Sequence, residues 1–128
     1  MKRYATLLQV GLLAAAALST SLAAQAQNGS DFPNRAIKLV VPYPPGGGTD
    51  VIARIVQERF QNLLGQPVVI ENRGGAAGSI GTEIAAKSAP DGYTVLFTLS
   101  SHTINPSIYQ KLPFDTAKDF EPVAMVAS

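Results

Sequence analysis

The stretch Ile37-Lys38-Leu39-Val40-Val41-Pro42-Tyr43-Pro44-Pro45-Gly46-Gly47-Gly48-Thr49-Asp50 decides the fold. Its first five residues are apolar apart from Lys38, three of them β-branched, and Pro42 stops the run. This is the pattern of a buried parallel strand. From Pro42 to Asp50 there are three prolines and three glycines, which neither a helix nor a central strand tolerates, so this segment is a loop. Apolar residues then return at Val51, Ile52, Ile55, Val56, Phe60, Leu63 and Leu64, the spacing of a helix face. Thr49 or Asp50 is the expected N-cap, and Gly65, followed by Pro67, the expected C-cap.

Working outward, Val68-Val69-Ile70 reads as a second short strand, and the turn-rich Asn72-Arg73-Gly74-Gly75-Ala76-Ala77-Gly78 leads to a helix over residues 79–88. Pro90-Asp91-Gly92 makes a turn into a third strand, Tyr93-Thr94-Val95-Leu96-Phe97-Thr98. A short helix is predicted around Pro106 to Tyr109, and Pro122-Val123-Ala124-Met125-Val126 reads as a fourth strand. Alternation of strand and helix predicts an α/β fold with right-handed crossovers and a parallel sheet covered on both faces. Ligands of such sheets sit outside the carboxyl ends of the strands. The loops that meet there are residues 42–50, 72–78 and 99–103.

The chain has 128 residues, no Cys, no Trp, one His and a formal net charge of +1. Lys2 and Arg3 precede an uncharged stretch from Tyr4 to Ala26 that closes on Ala24-Gln25-Ala26. Its strongly apolar part is about half the roughly 20 residues of a spanning helix, so it reads as a cleavable signal peptide, residues 1–26. Without Lys2 and Arg3 the ten basic residues fall to eight against nine acids, a mature charge of about −1. No basic field remains to hold a nucleic-acid backbone, and without Cys neither disulfides nor thiolate metal sites exist.

Three glycines before a helix leave backbone amides unshielded at the positive end of the helix dipole, where anions are attracted. No Lys or Arg lies between Lys38 and Arg54, so an anion there is held by N–H groups, the Thr49 hydroxyl and water. A P-loop requires Gly-Lys-Ser/Thr where this chain reads Gly48-Thr49-Asp50, and a dinucleotide fingerprint fails at Val51, where its third glycine belongs. No cofactor is therefore expected. Asp50 is read first as a cap or first-turn acid and alternatively as a group orienting water or a ligand hydroxyl. Arg73 suits either a bidentate carboxylate contact or a surface ion pair. His102 is expected to face solvent or cap a helix, because Ser101 beside it lies in no nucleophile elbow.

Taken together, the segments FPNRAIKLVVPYPP from Phe32, GGGTD with Ala53-Arg54, LGQPVVIENRGGAAGSIG from Leu64 to Gly81, APDGYTVLF from Ala89 to Phe97, and INPSIY with KLPFD resemble the substrate-binding receptors of tripartite tricarboxylate transporters, the Bug receptors. The resemblance implies an α/β fold, the first lobe of a type II periplasmic binding protein with a parallel-core sheet flanked by helices. It also implies about three times this mature length, so residues 27–128 read as the N-terminal part of lobe 1, truncated before the second lobe. It implies no catalysis. A small carboxylate would be captured in the periplasm and passed to membrane transporter subunits. Carried onto this chain, the gripping loop is Tyr43 to Asp50, with Ser100 to Thr103 as its neighbour. The candidate ligand contacts are Tyr43, Pro45, Gly46, Gly47, Gly48, Thr49, Asp50, Ser100, Ser101 and His102. Family members commonly read NRPGAGG where this chain has Asn72 to Gly78 without the proline, which leaves the local turn type open. An exported α/β hydrolase using Ser101 and His102, and an inactive remnant, are the competing readings.

Overall fold

A computed structural model describes residues 32–126; the proposed signal peptide, residues 1–26, lies outside the described residues. The elements are β1 (Ile37–Val41), α1 (Gly48–Leu64), β2 (Val68–Asn72), a 3₁₀ turn at Ala76–Gly78, α2 (Ser79–Ala86), β3 (Thr94–Leu96) and α3 (Ser101–Ile108). The three strands are parallel in the order β2-β1-β3.

β1 is central because its residues can be buried on both faces. Ile37, Leu39 and Val41 form one core with Val68 and with Ala53 of α1, flanked by Phe60, Ile70, Tyr93, Val95 and Phe97. Alternation sends Val40, fully buried, to the other face, where α2 packs on β1 and β3. That second face is open over β2, contrary to the expected full cover. Val69 is 54% exposed there, beside an Lys38–Glu71 ion pair of 3.1 Å.

α1 also buries a different line from the predicted stripe. Asp50 and Ala53 are its buried residues, whereas Val51, Ile52, Ile55 and Leu63 are exposed. The inward line Asp50, Ala53, Gln57 and Phe60 keeps helical spacing but mixes polar with apolar side chains, so hydrophobicity alone misplaced it. Its glutamines are used at the start of β2, where Gln57 Nε2 donates to the Val68 carbonyl (2.6 Å) and the Val68 amide donates to Gln61 Oε1 (3.1 Å). Gly65 ends the helix in the left-handed conformation, as predicted, its amide donating to the Gln61 carbonyl.

Two further boundaries differ. The helix expected at Pro106 begins five residues earlier, because the Ser100 carbonyl accepts the amides of Thr103 and Ile104 and starts a turn that Pro106 only interrupts. The predicted fourth strand is not formed: residues 121–126 carry no regular structure, since a β-branched run needs a neighbouring strand to complete its hydrogen bonds.

Candidate functional site

The chain leaves β1 and crosses to β2 on one side, then crosses back over β1 to β3 on the other. This puts a topological switch point at the carboxyl end of β1. There the segment from Pro44 to Gly48 is exposed, and a Cβ built on Gly46 or Gly48 would meet nothing within 4 Å. Gly46 has φ +81°, a conformation that favours glycine. α1 begins at Gly48 with Gly47 as N-cap, not Thr49 or Asp50, and no side chain caps it. The amides of Gly48, Thr49 and Asp50 therefore lack intrahelical acceptors and stand at the positive end of a 17-residue helix.

Tyr43 joins this loop to the one after β3. Its hydroxyl lies 2.6 Å from Ser101 Oγ and 3.3 Å from Thr98 Oγ1, and it accepts the Leu99 amide at 3.3 Å. Three partners use up the one proton and two lone pairs of a phenol, so this hydroxyl ties loops together and has no capacity left for a ligand. The loop after β2 is tied in by Asn72, whose Nδ2 donates to the Tyr43 carbonyl (3.2 Å) and to Asp50 Oδ1 (3.0 Å).

Asp50 is buried, 2% exposed. Its Oδ2 accepts the Gly46 amide at 2.9 Å and Arg54 Nε at 3.0 Å. The Gly46 amide, then Asn72, then Arg54, hold its carboxyl well below the ordinary range, at about 2. Asp50 thus neither caps the helix nor points its oxygens at solvent. Asn72 and Arg54 were not singled out in the sequence, although a polar residue ending a strand at the ligand-binding edge is the signal that marks Asn72.

The candidate residues beyond β3 divide. Ser100 is exposed at the N-terminus of α3, and Ser101 faces Tyr43. His102 is not solvent-facing. Its ring is stacked near Phe114 (10° between planes, centroids 6.3 Å apart) and meets Phe120 edge-on at 5.0 Å. Burial lowers its pKa, and Nδ1 has no hydrogen-bond partner. Ser101 and His102 do not form the nucleophile–base pair of the hydrolase reading, because Ser101 Oγ is engaged by Tyr43. Arg73 makes the surface ion pair, with Glu71 at 2.5 Å, and lowers the Glu71 pKa. The segment lacking the family's proline adopts a left-handed turn: Gly75, Ala76, Ala77 and Gly78 all have positive φ. Asn105 of α3, itself buried, donates to the Ala77 carbonyl at 3.1 Å and braces that turn.

A parallel sheet whose three strand-end loops converge beside uncapped helix amides is the arrangement in which open α/β sheets bind their ligands. Comparison with known proteins makes this specific. The family described as tripartite tricarboxylate transporter family receptor, TctC, matches residues 52–128. Protein BugT of Bordetella pertussis is 48% identical over 97 residues, which cover 74% of this chain and 30% of BugT. Among solved structures, the periplasmic binding protein BugD is 41% identical with a TM-score of 0.69, covering 71% of this chain and 30% of that one. MatC from Rhodopseudomonas palustris, with bound malate, is 40% identical with a TM-score of 0.70, covering 74% and 33%. The chain belongs to the tripartite tricarboxylate transporter receptor family, and it spans about a third of the length of these relatives.

Proposed function

We propose that this chain is the carboxylate-gripping part of lobe 1 of a periplasmic receptor, exported by residues 1–26, that serves a tripartite tricarboxylate-type transporter and performs no catalysis. The observation that carries the proposal is the exposed, uncapped start of α1 at the sheet's switch point. The amides of Gly48, Thr49 and Asp50 and the Thr49 hydroxyl receive one carboxylate, partly through water, with Ser100 alongside and the Pro45–Gly46 backbone forming the wall. Tyr43, Asp50 and Ser101 hold these donors in place, and His102 braces α3 from behind. MatC, with malate bound, supports a small carboxylate as the ligand class.

The test is a chimera in which residues 32–126 replace the corresponding third of MatC. The receptor reading expects the chimera to bind malate by calorimetry, and expects Gly48→Pro to abolish that binding, since proline removes an N–H from the grip. A folded chimera that is indifferent to malate would sink the proposal.

A further inference from the structure

An acid in the first turn of a helix ordinarily turns its carboxylate to that helix's own free amides, which here would occupy the places meant for a ligand. Asp50 does otherwise. Its Oδ2 takes the amide of Gly46, four residues back and outside the helix, and its Oδ1 takes Asn72 from the end of β2. One buried carboxylate thereby fixes the glycine loop, the start of α1 and the edge of the sheet. Asn72 extends the same link to the Tyr43 carbonyl.

Resting on the carboxylate-receptor reading above, we infer that Asp50 is the positioning residue of the anion cradle: it holds Gly46 and Asn72 so that the first-turn amides of α1 stay open, while Arg54 cancels its charge. The second half of the inference follows from Coulomb's law. A fixed negative charge in the first helical turn repels an incoming carboxylate and weakens the helix dipole's attraction. Arg54 Nε at 3.0 Å opposes that charge, and Arg54 is the one basic group paired with Asp50 among the described residues. The loop thus draws on the rigidity of an ionised acceptor without presenting net negative charge to the ligand. Gly46 at φ +81° is the point where this matters, because a conformationally free residue stays in one backbone state only if something holds its amide.

The experiment uses the full chain, ¹⁵N-labelled, with sodium malate as probe near neutral pH. In the unmodified chain without malate, followed as the pH is lowered, the Gly46 amide proton should titrate with the Asp50 carboxylate at about 2, below the ordinary aspartate value, and Asp50→Asn should abolish that titration. Asp50→Asn and Asn72→Ala should each weaken the malate-induced shifts of the Gly48 to residue-50 amides by about fivefold or more, the equivalent of one hydrogen bond to the ligand. Arg54→Gln should leave the Gly46 titration in place yet weaken malate binding, and added salt should lessen that loss, which a merely structural defect would not show. Unaltered malate affinity in Asp50→Asn or Asn72→Ala overturns the positioning role and leaves the receptor reading standing. Amides that ignore malate supplied well above the millimolar range in the unmodified chain, while Gly46 still titrates at about 2, remove the receptor reading and this role with it.

Discussion

Gly81 lies in the first turn of α2, and replacing it by alanine sets two effects of opposite sign against each other. In a helix alanine is favoured over glycine, through backbone entropy, by at most about 1 kcal/mol, the value for a helix interior. The position, however, has no room. A Cβ on Gly81 would stand 2.6 Å from the Arg73 carbonyl oxygen and 2.8 Å from both Cα and Cβ of Pro42, inside any normal contact distance. Most of these atoms are backbone, and they belong to the segments that leave β1 and β2. They cannot swing aside as the end of a flexible side chain would. Overpacking of this kind costs about 1–3 kcal/mol, and two rigid neighbours put Gly81→Ala at the upper end. The net expectation is a loss of about 1–2 kcal/mol, a fall of about 1 M in the urea midpoint followed by circular dichroism. Gly48→Ala is the control, since its Cβ would meet nothing within 4 Å, and it should leave the midpoint unchanged or slightly raised. A Gly81→Ala variant as stable as the unmodified chain would refute the close approach of α2 to the ends of β1 and β2.

Ala77, at φ 52° and ψ 34°, sits in the left-handed region that costs a non-glycine residue about 1 kcal/mol, so Ala77→Gly should raise the urea midpoint despite the greater freedom of the unfolded chain. Asp50 has a folded pKa below its unfolded value; its contribution to stability is complete above pH 3.8 and is lost as pH falls toward about 2, so Asp50→Asn should flatten the acid side of the stability profile in that window. His102, whose pKa burial depresses, behaves alike: its contribution is complete above pH 6.5 and is lost as the pH falls below, and the single imidazole signal in NMR should titrate under 6.5. The chain by itself should bind malate no tighter than about millimolar, because three charge-assisted hydrogen bonds of roughly 1.5–3 kcal/mol each must first offset an association cost of at least about 4 kcal/mol. Micromolar calorimetric binding would contradict this.

Much of this arrangement was legible before any coordinates. The β-branched, mostly apolar Ile37–Val41 run, the proline stop and the glycine triplet point to β1 and the loop after it, because each is a local constraint on backbone conformation. The N-cap of α1, expected at Thr49 or Asp50, falls earlier, at Gly47. Capping statistics assume that an acid near a helix start serves that helix, whereas Asp50 serves Gly46 and Asn72, and the latter lies 22 residues away in sequence. His102 was misjudged for a related reason. Its environment comes from Phe114 and Phe120, whose approach no periodicity reports. The fourth strand failed because strand formation depends on a partner, and β-propensity at Pro122 to Val126 cannot supply one.

These misses share a cause that bears on how the site works. The parts that touch a ligand in this reading are backbone amides, and sequence patterns locate them well because glycine, proline and strand runs constrain backbone directly. The side chains around them make bonds across loops: Tyr43 to Ser101, Asn72 to Asp50, Asn105 to Ala77. None of the three pairs is close in sequence, and each joins segments that leave different strands or helices. A grip built mainly from amides, with only the Thr49 hydroxyl and Ser100 beside them, has little side chain to vary with the ligand, so in this reading it recognises a carboxylate without distinguishing one acid from another. Discrimination between acids must then come from groups that meet the rest of the molecule. Substitutions at the three cross-loop pairs should accordingly weaken binding of short and long dicarboxylates by the same factor, and a selective loss of one acid would show that these side chains read the ligand directly.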